Sequence, residues 1–101
     1  MNDFVKINEQ HVKESSGYEV YSDGRDYLRF KDGKCNFRIR RELGWNPITR
    51  KGHEYIYVND IYDENMANVA LTPDERNRLM EKVVAAIKFM DDFEVSFVEH
   101  D

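Results

Sequence analysis

The chain almost lacks the residue from which small secreted folds are stapled: Cys35 is the only cysteine among 101 residues, so no internal disulfide can form. Nothing therefore points to an oxidising compartment. A long apolar run is missing too, since the longest, Val83-Val84-Ala85-Ala86-Ile87, falls far short of the roughly 20 residues that a membrane-spanning helix needs. The opening residues MNDFVKINEQ contain no basic stretch followed by an apolar one, so they do not read as a secretory signal. The expectation is a soluble protein that stays in the cytoplasm where it is made, with no membrane partner.

Other absences narrow the chemistry. His11, His53 and His100 are scattered, with no two at a spacing that places ligands together on a strand or helix, so neither a metal nor another cofactor is expected. Glycines 17, 24, 33, 44 and 52 stand apart from one another and form no phosphate-cradling loop. No nucleophile, base and glycine-rich turn occur together, and the expectation is a protein that is not an enzyme. A chain this long buries roughly 60 to 70% of its unfolded surface in one domain, which makes staples unnecessary.

Charge is plentiful but uneven. The net value of -5 arises from 15 Lys and Arg against 20 Asp and Glu. Residues 25 to 51 hold nine of the basic residues and only Asp26, Asp32 and Glu42 among the acidic ones. This asymmetry suggests either a dipolar surface for a charged partner or two patches that partly neutralise each other within the fold.

The local patterns predict an α+β domain over residues 1–101, an antiparallel sheet meander packed on one face by a single main helix and followed by a C-terminal strand. Asp32-Gly33 reads as a two-residue hairpin turn. That register sets Phe30 against Cys35 and Leu28 against Phe37 on a core face, with Lys31 opposite Lys34, Arg29 opposite Asn36 and Tyr27 opposite Arg38 on a polar one. A three-residue loop upstream then pairs Val20 with Leu28 and Tyr18 with Phe30. Further strands are expected at 4–7, 54–58 and 93–98. Thr72-Pro73-Asp74-Glu75 reads as an N-cap, a first-turn proline and a capping-box glutamate. Leu79, Met80, Val83, Ile87 and Met90 then recur at helical spacing and form one apolar face.

Three groups of residues stand out as surfaces. Tyr27, Arg29, Arg38 and Arg40, with Lys31 and Lys34, form a basic sheet face with aromatic neighbours. Such a face can stack and neutralise nucleic acid, although the acidic total and the ordinary solvation of a polar sheet face weigh against that partner. Asp60, Tyr62, Asp63 and Glu64 cluster carboxylates around a tyrosine in what reads as a loop after a strand, either a solvated connection or an acidic patch with an aromatic anchor. Trp45 lies in what reads as a long connection over residues 41–54, where it either folds back on the core or serves as an interface anchor. Cys35, between two phenylalanines, is expected in the core.

Taken in order, the meander of short strands, Tyr55-Ile56-Tyr57-Val58-Asn59-Asp60-Ile61, the helix start Leu71-Thr72-Pro73-Asp74-Glu75-Arg76 and the terminal Phe93-Glu94-Val95-Ser96-Phe97 resemble small α+β immunity proteins. These belong to bacterial polymorphic toxin and contact-dependent growth inhibition systems. The resemblance covers most of the chain in element order and implies a protein that binds and neutralises a cognate toxin domain, commonly a nuclease. It carries over no residue role position by position. Under that reading the expected partner-binding residues are Asp60, Tyr62, Asp63, Glu64 and Trp45; oligomeric state stays open.

Overall fold

A computed structural model describes residues 3–33, 35–91 and 93–99. The elements run β1 (Phe4–Asn8), β2 (His11–Glu14), β3 (Glu19–Ser22), β4 (Tyr27–Asp32), β5 (Cys35–Asn46), β6 (Lys51–Tyr62), α1 (Pro73–Asp91) and β7 (Glu94–Val98). All seven strands form one sheet in sequence order, antiparallel from β1 to β6. β7 pairs parallel to β6, which requires a crossover between them, and α1 supplies it. The expected α+β layout with one main helix and a C-terminal strand is what the chain adopts.

The alternation read from the sequence sorts the faces. Val12, Val20, Leu28, Phe30, Ile39, Ile56 and Val58 form the buried side of the sheet, and Leu79, Met80, Val83, Ala86 and Ile87 of α1 close over it, with Phe37 packed at the margin. Phe30 lies against both Tyr18 and Phe37, at centroid distances of 5.6 and 6.4 Å. The helix begins where the capping box predicts: Glu75 N–H donates to Thr72 Oγ1 at 3.2 Å and Thr72 N–H donates back to Glu75 Oε1 at 3.0 Å. Among the described residues no helix is long and apolar enough to cross a membrane.

Registers differ from expectation by whole pleats. In the β4–β5 hairpin Asp32 pairs with Cys35 and Phe30 with Phe37, so Asp32 belongs to the ladder and the turn starts at Gly33 rather than at Asp32. Gly33 takes the positive φ of 57° that this turn needs at its first linking position. Arg29 therefore meets Arg38, Tyr27 meets Arg40, and Lys31 meets Asn36, while Lys34 itself lies outside the described residues. Between β3 and β4, Val20 pairs with Phe30 and Glu19 with Lys31, two residues from the expected register. A shift by two keeps every side chain on its face, which is why the core survives both corrections.

Three further expectations change. Cys35 is exposed, because the pairing with Asp32 puts it at the hairpin end, outside the apolar core. Residues 41–54 are mostly strand: Arg41 to Asn46 pair with Ile56 to Lys51, and only residues 47–50 turn. Gly44 and Gly52 lie within that ladder, the second beneath the Phe93 ring, where a Cβ would come within 2.5 Å of Phe93 Cε1. Residues 59–62 are the end of β6 rather than a loop. Between Ile39–Ile61 and Arg41–Ile56 the ladder slips, with one residue on β5 facing four on β6.

Candidate functional site

Among the described residues the one helix lies on one side of the sheet, and the opposite side carries no second layer. On it, β3, β4, β5 and β6 place tyrosines and arginines in adjoining rows, held by carboxylates from neighbouring strands and from the turn after β3. Asp23, just after β3, accepts at Oδ2 from Arg29 Nη2 at 2.8 Å and from Arg38 Nε at 3.0 Å. These bonds hold its carboxyl below the usual carboxylate range, the Arg29 hydrogen bond first. Arg29 Nη1 also donates to Asn36 Oδ1 at 3.3 Å, and Asn36 Nδ2 donates to Glu64 Oε1 at 2.7 Å.

The arginine planes rest on aromatic rings. Arg38 stands 5.5 Å from the Tyr27 centroid, and Arg40 stands 4.6 Å from that of Tyr57. Tyr57 Oη donates to Glu42 Oε2 at 2.7 Å, a bond that raises the phenol's pKa because it favours the protonated form. Tyr62 lies opposite Arg38 across the ladder, and its pKa is raised chiefly by burial, with Asp60 adding to it. The side chains are thus fixed by cross-strand partners before any other molecule arrives.

The slip between β5 and β6 explains how Asp60 joins this face. It is only 7% exposed, and its Oδ2 lies 3.5 Å from Arg40 Nη1. Asp63 closes the turn after β6 by accepting from the N–H groups of Asn65 and Ala67 at 2.8 and 3.0 Å. Of the three clustered carboxylates, Glu64 is the one that is both exposed and on the rim of the face. The basic face and the acidic cluster, far apart in sequence, are one interleaved surface. Trp45 is elsewhere, 65% exposed near the tip of the β5–β6 hairpin beside Ile48, which is 91% exposed.

Sequence reasoning missed a second polar feature on the helix side. Arg41 and Glu54, 6% and 1% exposed, pair at 3.2 Å. Arg41 also donates through Nε to Arg25 O at 3.0 Å and through Nη2 to Gly24 O at 2.8 Å and to Ser22 Oγ. Glu54 Oε2 has no hydrogen-bond partner among the described residues, and burial raises the carboxyl's pKa against the opposing pull of Arg41. A cavity of about 140 Å³ adjoins the pair, bounded by Leu43, Met90, Asp91 and Phe93 among others. His53 and Tyr55, neighbours of Glu54 in sequence, stack on each other at 4.4 Å, and His53 Nε2 meets Ser96 Oγ at 2.8 Å. Strand alternation puts them on the other face, so among the described residues Glu54 has no histidine beside it with which to form an acid–base couple.

Among the described residues no group of three or more His, Cys, Asp or Glu side chains could hold a metal ion. Comparison with family models, with curated proteins and with solved structures returns no match.

Proposed function

We propose that the chain is a protein-binding module of the immunity type, which works in the cytoplasm by docking on a cognate toxin domain and blocking it, without catalysis of its own. One observation carries the reading: the sheet side that no helix covers displays Tyr27, Tyr62, Arg29, Arg38 and Arg40, and cross-strand carboxylates hold its arginines in place. Tyrosine and arginine dominate the energetics of protein interfaces, and prior ordering lowers the entropy lost on docking. Glu64 at the rim adds an exposed carboxylate that steers a basic partner. The resemblance in element order to immunity proteins supplies the class of partner.

The competing nucleic-acid reading uses the same arginines. Arg29 and Arg38 already face Asp23, and Arg40 faces Asp60, so phosphates would have to displace carboxylates from each. That arrangement favours a protein partner.

The test is co-expression with the C-terminal region of whatever protein is encoded directly upstream of the gene, which the proposal expects to be toxic. The wild-type chain protects growth, and a chain carrying Arg38→Ala with Tyr27→Ala protects poorly while remaining folded by circular dichroism. Absence of a toxic domain at that position, or full protection by the double variant, removes the proposal. Titration with short RNA and DNA at two salt concentrations addresses the alternative, which requires a salt-sensitive affinity.

A further inference from the structure

The two ends of the sheet are finished differently. β1 is blunted as exposed edges usually are, with Lys6 at its centre and a register irregularity between Lys6 and Asn8. β7, of sequence Glu94-Val95-Ser96-Phe97-Val98, pairs regularly with β6 and contains no lysine, proline or bulge. Its polar side chains are occupied within the chain: Glu94 Oε1 accepts from Thr49 Oγ1 at 2.7 Å, and Ser96 Oγ meets His53 Nε2. Among the described residues no strand pairs with its outer edge.

Beside this edge an open, partly apolar trough runs along α1. About 790 Å³ of it is lined by Val58, Met80, Val84, Ala85 and Phe97 together with four polar or charged side chains, and it continues past Val84 to Phe93 and Val95. Phe97, on the helix side of the sheet opposite Ile56, is 52% exposed as a result. The helix positions along the trough include Glu81 and Lys88, both exposed.

We propose that the occupant is a second copy of this chain, joined by antiparallel pairing of β7 with its counterpart about a two-fold axis at Ser96. The sequence is self-complementary about that point. Antiparallel pairing centred on Ser96 sets Val95 of one copy against Phe97 of the other, on the helix side of both sheets. Val84, near the middle of α1, lines the trough together with Val95 and Phe97, so the same axis sets the two copies of α1 antiparallel with these faces toward each other. Positions 81 and 88 are equidistant from the midpoint between Val84 and Ala85. The two antiparallel helices therefore bring Glu81 of each copy toward Lys88 of the other, two opposite-charge contacts from one symmetry. The pairing satisfies the open edge, covers the trough and leaves the tyrosine- and arginine-bearing face free, so it stands independently of the proposed docking to a toxin.

Sedimentation equilibrium of the full chain tests this. The wild type is expected to show a monomer–dimer equilibrium, and Phe97→Lys is expected to abolish the dimer. Glu81→Lys sets lysine against lysine in both contacts and is expected to weaken association about tenfold, whereas E81K combined with K88E restores it. Because residues 81 and 88 are exposed, the charge series is decisive even if Phe97→Lys perturbs folding. A wild type that is monomeric throughout, or a dimer that ignores both the Phe97 and the Glu81 changes, overturns the proposal.

Discussion

Arg41 and Glu54 show how a charge pair that stabilises little by itself can still govern local structure. Arg41 binds the carbonyls of Gly24 and Arg25 as well as Glu54, so it ties the β3–β4 connection to the β5–β6 ladder. Arg41→Met removes those donors and leaves a buried carboxylate unpaired, with an expected loss of about 3 kcal/mol in urea unfolding. Glu54→Gln is different, because it discharges a group whose folded pKa is already raised by burial. A carboxyl raised in the folded state contributes stability that is fully present below its ordinary value of 4.5 and is lost as pH rises through the folded value. Glu54→Gln should therefore gain on the wild type as pH rises from 4 toward 7, a trend that urea midpoints across that window can read. Asp23 has the opposite sign: its lowered pKa gives stability that is present above 3.8 and lost as pH falls below it. Cys35 supplies a simpler check. Exposed at the hairpin end, it should react with a thiol reagent in the native protein as fast as in urea, whereas a core thiol would be protected.

At the scale of elements, α1 is held at its start by the reciprocal bonds of Thr72 and Glu75, and Thr72→Ala should cost about 1 kcal/mol in thermal or urea unfolding. That helix was legible because its cap, proline and apolar spacing are all local. The sides of the strands were legible too, since alternation survives a shift of two residues. What local pattern could not supply was register: an Asp-Gly pair marks a turn, but whether Gly33 is its first or second linking residue depends on pairing along the whole hairpin. The length of β5 and β6 was hidden for a related reason. Gly44, Pro47 and Gly52 look like loop punctuation, yet Gly44 pairs with His53, and Gly52 makes room for Phe93, a neighbour distant in sequence. β2 is short and ends in Glu14, a residue unusual for a buried strand position; its carboxylate is satisfied by the N–H of Ser16 at 2.8 Å and by the hydroxyls of Ser15 and Ser16.

Across the whole molecule, the slip between β5 and β6 decides how charge is distributed. It brings Asp60 to Arg40 and leaves Glu64 within reach of Asn36, so the acidic and basic segments meet on one side of the sheet. Of the two readings of the charge asymmetry, mutual neutralisation within the fold describes this face, and it leaves an ordered mosaic rather than a one-sign field. No sequence pattern announces contacts that span 28 residues, which is why the two patches looked separate. The measurement that bears most directly on the account is calorimetric titration of the proposed toxin partner with the wild type, with Arg38→Ala and with Leu43→Ala on the opposite side. The account predicts tight binding by the wild type and the Leu43 variant and a loss of about thirtyfold for Arg38→Ala. Equal affinity for Arg38→Ala and wild type, or a loss confined to Leu43→Ala, would contradict it.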